Sequence, residues 1–124
     1  MEMQALFPID PKRMYCTGGS LGADCTGNLA KDMPEVWAAV FAFSQGGPLF
    51  SRRNRRLPFI SAQAYNYELS VLRRSARRFR QGGCYDPAIH HLMCYPGVGH
   101  CGMSRDIWPF VLDFFDRHRR DSRR

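Results

Sequence analysis

The sequence predicts an α/β chain built on a mostly parallel sheet of about four strands with helices on both faces. Three observations carry that expectation. Apolar strand-like runs and helix-period segments follow one another in the order strand, helix, strand, strand, helix, strand, helix, the order that packs helices over parallel strands. Val36 to Phe43 is an unbroken apolar run, as a strand covered on both faces requires. Gly18-Gly19-Ser20-Leu21-Gly22 falls where the first strand gives way to the first helix, so a sharp turn at one sheet edge is expected there.

Taken in order, Met14-Tyr15-Cys16-Thr17 is a short strand that runs into Gly18-Gly19. Leu21 to Lys31 has helical spacing, with Leu21, Cys25 and Leu29 on the face expected to turn inward. Met33-Pro34 stops it, because proline disfavours helix at the residue before it. Gly46-Gly47-Pro48 closes the second strand, and the arginine-rich Ser51 to Arg56 is loop. Leu57 to Ala62 is the third strand. From Leu69 onward, Leu69, Leu72, Ala76 and Phe79 form one apolar stripe opposite a face of arginines, and Gly82-Gly83 supplies a left-handed cap. Ile89 to Tyr95 is the fourth strand. Asp106 reads as the N-cap of a last helix, leaving Pro109 in the first turn. Ile107, Val111, Phe114 and Phe115 are that helix's buried face, with Arg117 to Arg120 at the negative end of its dipole.

With 124 residues, 44% of them hydrophobic and 13% aromatic, the chain can bury a core of its own, and disorder is not expected. No apolar run approaches the ~20 residues of a membrane span. Met1 to Pro8 has neither a basic start nor a sustained apolar stretch, so no signal peptide is read and the chain as given is expected in the cytoplasm. Secretion or a periplasmic location would follow if a further N-terminal segment precedes it.

The net charge of +7 comes from 16 Arg and 2 Lys against 11 acidic residues. The arginines concentrate in Arg52 to Arg56, in Arg73 to Arg80 and in a basic tail over residues 117–124. They read as solvated faces carrying a non-specific anion field. No helix-turn-helix, zinc-finger or RNA-recognition pattern accompanies them, so no specific nucleic acid is expected. The five cysteines fit neither a disulfide framework nor a paired CxxC zinc module. A metal held by Cys94, Cys101 and His90, His91 or His100 is the alternative reading, but the spacing is irregular, and neither metal nor cofactor is expected.

The chemistry rests on two segments. The first matches G-x-S-x-G in a strand–turn–helix setting. There Ser20 would project near a helix N-terminus, with Gly18 and Gly22 allowing the backbone to pass closely and the Leu21 amide aimed at a developing oxyanion. The second is Tyr95-Pro96-Gly97-Val98-Gly99-His100-Cys101-Gly102, a histidine on a glycine-rich loop directly after a strand. Such a loop can carry His100 to a serine at the same sheet edge, to act as general base and then acid.

Residues 10–22, ending in that elbow, resemble the nucleophile strand of α/β-hydrolases of the polyhydroxybutyrate-depolymerase, feruloyl-esterase and prolyl-oligopeptidase-like group. Residues 95–100 resemble the histidine loop of the same group, residues 34–40 its next strand, and Ile107-Trp108-Pro109-Phe110 its last helix. The resemblance implies a serine hydrolase acting on small-molecule or polymeric carboxylic esters through an acyl-enzyme, with no cofactor. In that group the acid follows the third of these strands, in a segment reading roughly H-G-x-x-D. Here the segment is Gln63-Ala64-Tyr65-Asn66-Tyr67-Glu68, and Tyr67 stands where the aspartate is expected. Glu68 is the candidate acid, with Asn66 behind it.

The resemblance also implies that the chain, 1–124, is a single truncated domain, since the strands that precede the nucleophile in that group have no counterpart. Met14 to Thr17 would then be an open apolar edge, available to the missing N-terminal half or to a second copy. The alternative to an active esterase is a catalytically impaired remnant acting only through such association. A basic nucleic-acid-binding domain is the weaker alternative.

Overall fold

A computed structural model of the chain describes residues 2–44, 51–64, 67–95 and 97–120. In chain order the elements are α1 (Glu2–Leu6), β1 (Tyr15–Gly19), α2 (Leu21–Asp32), β2 (Ala39–Phe43), β3 (Phe59–Ala64), α3 (Tyr67–Gln81), β4 (His90–Tyr95) and α4 (Ser104–Asp116). The four strands form one sheet in the order β1-β2-β3-β4. Every pairing is parallel, with Cys16 opposite Val40, Ala42 opposite Ser61 and Ser61 opposite Leu92.

All strands therefore point the same way, and every loop that follows a strand emerges at one edge of the sheet. The β1–α2–β2 and β3–α3–β4 crossovers step across the sheet in the same direction, which puts α2 and α3 on the same face. Beneath them Cys16, Val40, Phe59 and Leu92 pack with Ala30, Leu57 and Cys84. On the other face Tyr15, Phe41, Ile60 and Met93 meet Ile107, Val111, Phe114 and Phe115 of α4. The alternating side chains of each strand thus feed two separate cores, as a sheet covered on both sides requires. Phe41, Phe59 and Phe114 are completely buried, and truncating any of them to alanine would cost about 3–5 kcal/mol.

The far end of α4 is tied back to the segment before β1. Tyr15 stacks on Phe115 at 4.5 Å and donates its hydroxyl to the carbonyl of His118 at 2.8 Å. Arg13 pairs with Asp116 and Arg119 with Asp10, each at 2.9 Å. These ion pairs are exposed and add little individually; the buried ring contact does more to join the two segments.

Several elements differ from the sequence reading. Helix α2 does not bury Leu21, Cys25 or Leu29. Leu21 is 75% exposed and Cys25 is exposed, while Ala23, Thr26, Gly27 and Ala30 face inward. A helix this close to a glycine strand can present only small side chains to it. Pro34 to Val36 form a turn rather than the start of a strand, because Val36 N–H bonds back to the Met33 carbonyl at 3.1 Å. The third strand lies two residues later than expected, ending at Ala64. Asp106 is not an N-cap: α4 begins at Ser104, with Asp106 in its first turn and Pro109 inside the helix. The proline is exposed, so the cost is the bond its ring nitrogen cannot donate to the carbonyl of Arg105. Of the stripe expected on α3, Ala76 is buried and Arg73, Arg74, Arg77, Arg78 and Arg80 are exposed; the side chains of Leu69, Leu72 and Phe79 lie outside the described residues. Gly83 adopts φ +67, the left-handed cap expected of it. No helix among the described residues is long and apolar enough to cross a membrane.

His90, at the start of β4, is 1% exposed and stacks on Phe59 at 4.4 Å. Its Nδ1 accepts the Asp86 N–H at 2.9 Å. Burial pushes its pKa down to about 4, against a smaller opposing effect of Asp86, and burial also lowers His91. The unfolded chain takes up these protons first, so stability should be constant above pH 6.5, decline as pH falls from 6.5 toward 4, and level off below. Urea midpoints measured across that range should show the decline, and His90→Asn, which keeps an acceptor but does not titrate, should flatten much of it.

Candidate active site

Ser20 sits immediately after β1 and immediately before α2, and its backbone takes φ 57, ψ −120. A non-glycine residue in this region carries roughly 1–3 kcal/mol of strain, and such strain clusters where a side chain must be aimed rather than merely accommodated. The conformation is held from both sides. Ser20 N–H continues the β ladder to the Phe43 carbonyl at 3.1 Å, and the Ser20 carbonyl accepts from Ala23 and Asp24 in the first turn of α2.

The turn needs close approach, and its glycines do not share that burden equally. A Cβ on Gly18 would lie 2.2 Å from the Gly22 carbonyl oxygen and 2.8 Å from Thr26 Oγ1. A Cβ on Gly19 would enter the Phe43 ring at 2.3 Å. A Cβ on Gly22 would meet nothing within 4 Å. The sequence reading named Gly18 and Gly22; the structure assigns the steric demand to Gly18 and Gly19.

His100 arrives from the loop after β4, at the same sheet edge. Its Nε2 stands 2.9 Å from Ser20 Oγ. With the neutral imidazole protonated on Nδ1, the serine hydroxyl donates to Nε2, which is the hydrogen bond a serine nucleophile needs from its base. Residues 80 positions apart in the chain are thus in direct contact. Leu21 is the first residue of α2, and its N–H is one of the helix donors without an intrahelical acceptor. Among the described residues nothing accepts it. A serine hydroxyl, an imidazole and a backbone amide donor therefore share one corner of the sheet.

The histidine loop is fixed by a residue that sequence reasoning missed. Ser44 directly follows β2, is completely buried and has φ 54. Its Oγ accepts the Cys101 N–H at 2.7 Å and lies 3.7 Å from Met103 Sδ, while its own N–H bonds to the Ala62 carbonyl at 2.9 Å. Cys101 is itself left-handed at φ 61, Gly97 has φ +81, and Gly102 N–H closes the turn onto the Gly99 carbonyl at 2.8 Å. Ser44 so anchors the residue next to His100 from two strands away. Its only signal in the sequence is a polar residue ending an apolar strand, which any loop shares.

Of the acid candidates, Asn66 lies outside the described residues, as does the side chain of Glu68. The backbone of Glu68 belongs to the first turn of α3, just beyond the end of β3. Among the described residues no three His, Cys, Asp or Glu side chains gather into a metal-binding group. Cys16 is half-buried under α2, where burial raises its thiol pKa. No protein-family model and no curated protein matches the sequence.

The unequal glycines can be tested directly. Gly22→Ala should fold normally, with a gain of up to about 1 kcal/mol from helix propensity. Gly18→Ala should lose several kcal/mol or fail to fold, because backbone and not a flexible side chain blocks its methyl. Thermal unfolding of the two variants beside the parent chain checks both.

Proposed function

We propose that the chain is a serine hydrolase of the α/β-hydrolase type, cleaving carboxylic esters through an acyl-enzyme. The observation that carries the reading is the 2.9 Å contact between His100 Nε2 and the Oγ of a backbone-strained Ser20. In this scheme Ser20 Oγ attacks the ester carbonyl carbon and passes its proton to His100 Nε2. The Leu21 N–H stabilises the oxyanion of the tetrahedral intermediate. Collapse breaks the bond to the alcohol, which leaves with the proton from His100. Water then attacks the acyl-Ser20 ester with His100 as base, releasing the acid and restoring the serine. Glu68 is the residue proposed to orient the imidazole. The likeness of residues 10–22 and 95–100 to esterase segments supports the same assignment.

A fluorophosphonate probe should label Ser20, and Ser20→Ala should abolish labelling. His100→Ala should slow both labelling and turnover of a p-nitrophenyl ester by about 10²–10⁴-fold, the usual worth of a general base. A folded chain that the probe leaves unmodified at Ser20 would overturn the esterase reading.

A second reading, association through the sheet edge, is favoured by a separate observation. β1 pairs with β2 on one side only among the described residues. In the segment that precedes it in the chain, Met3, Leu6, Phe7 and Ile9 are all exposed, and α1 buries none of its residues. Unpaired strand groups offer a template for another chain, and exposed apolar side chains offer it area to bury. Light scattering coupled to size-exclusion chromatography should show mass rising with concentration, and replacing Leu6 and Phe7 by serine should suppress the rise. A monomer at every concentration, with slow hydrogen exchange over Tyr15–Gly19, would show the edge to be covered within the chain.

A further inference from the structure

At the opposite end of the sheet, where β2 and β3 begin, the turn over residues 51–56 lines an open cleft of about 430 Å³. Four of its lining residues are Arg52, Arg53, Arg55 and Arg56, and the one carboxylate among them is Glu35. We infer that this cleft is a binding site for a small phosphoanion carrying two or three linked phosphate groups, separate from the Ser20–His100 corner.

The first support is that the turn holds its shape without its arginines. Asn54, at its centre, is 1% exposed. Its Oδ1 accepts from Ser51 N–H at 2.8 Å and from Ser51 Oγ at 3.2 Å, and its carbonyl accepts Leu57 N–H at 2.9 Å. A buried amide thus folds the turn inward and leaves the residues on either side of it exposed. The four cations are displayed on a shaped backbone, which lowers the ordering cost of binding.

The second support is the charge balance. Glu35 Oε2 lies 3.8 Å from Arg53 Nη2, a long contact between two exposed groups. Among the described residues Arg52, Arg55 and Arg56 make no ion pair. From the other end of the chain, Arg120 Nη1 donates to the backbone carbonyl of Glu35 at 2.9 Å. Four arginines therefore line the cleft with one carboxylate. Like charges so placed repel one another unless an anion lies between them, and guanidinium forks match phosphate oxygens two at a time. A lone phosphate would engage one or two forks. Linked phosphates engage the set, and the cleft lies within the size range of small-ligand sites.

Tripolyphosphate is the probe, titrated calorimetrically into the full chain at about 150 mM salt to screen the general field of the protein. A saturable one-site isotherm is expected. Arg52→Ala/Arg55→Ala/Arg56→Ala should weaken it at least about tenfold, or 1.4 kcal/mol. Arg73→Ala/Arg77→Ala/Arg80→Ala removes the same charge from α3 and should weaken it by less than about threefold. The matching Arg→Lys triple at 52, 55 and 56 keeps the charge but loses the forks, and should still bind several-fold more weakly. Equal losses in the two alanine triples, undiminished binding by the lysine triple, or no saturable isotherm would each overturn the site. A duplex DNA oligomer forms the second arm: it should lose affinity in both alanine triples, since it can span both arginine faces. Loss in the cleft triple alone would overturn a free oligophosphate in favour of a nucleic-acid backbone. Ser20 labelling should be unchanged in the cleft triple, so this site and the esterase reading fail or stand apart.

Discussion

The close passage of α2 over the end of β1 is the constraint on which the rest of the site depends. Gly18 lies under the Gly22 carbonyl with no room for a methyl group, so strand and helix are joined by one residue rather than a loop. Ser20 absorbs the whole change of direction in a single strained pair of dihedrals. Its side chain then has to leave the sheet edge outward, and α2 has to begin at once, with its first free amide beside the hydroxyl. The same closeness decides which face of α2 turns inward. Ala23, Thr26, Gly27 and Ala30, all small, are the residues α2 buries, and Thr26 Oγ1 donates to the Gly22 carbonyl at 2.8 Å.

The parallel sheet supplies the second half of the arrangement. Because all four strands run one way, the loops after β1, β2 and β4 share one edge although they lie far apart in the chain. Ligand chemistry in open parallel sheets gathers at that edge for this topological reason. Ser20 and Ser44 end neighbouring strands, and the histidine loop reaches both: His100 to one hydroxyl at 2.9 Å, Cys101 N–H to the other at 2.7 Å. Adjacent residues of one loop are thus fixed to adjacent strands, and the imidazole is located by the backbone beside it as well as by its contact with Ser20.

The legible parts of the sequence are those where one residue type has one physical use. Four strands with covering helices follow from alternation and apolar runs. The meeting of Ser20 and His100 follows from placing each after a strand that points the same way. The inward face of α4 follows from the size of Ile107, Val111, Phe114 and Phe115. The misreadings share a cause. Leu21, Cys25 and Leu29 look like a buried stripe by hydrophobicity, but the close passage over Gly18 turns Ala23, Thr26, Gly27 and Ala30 inward instead. Val36 and Trp37 look like strand, yet a local hydrogen bond to Met33 and the Trp37 Nε1–H bond to the Leu29 carbonyl at 3.3 Å keep them in the approach to it. Ser44 could not be read at all, because what distinguishes it is a partner 57 residues away.

Buried polar residues divide the labour with the two apolar cores. The cores set the spacing of sheet and helices, but dispersion and burial are non-directional and leave loop conformation open. Ser44, Asn54 and His90 are each no more than 1% exposed; Ser44 directly follows β2, His90 opens β4, and Asn54 lies in the turn that precedes β3. A polar group withdrawn from water must find a partner or destabilise the fold. In all three cases a partner is a backbone N–H of a turn: Cys101 for Ser44, Ser51 for Asn54, Asp86 for His90. The donor needs an acceptor as much as the side chain needs a donor, so each pair removes two liabilities by fixing one loop. An apolar residue of equal size at any of these positions would keep the layers packed and release the loop. On this argument the shape of the Ser20–His100 corner and that of the arginine cleft have the same physical origin, at opposite ends of one sheet.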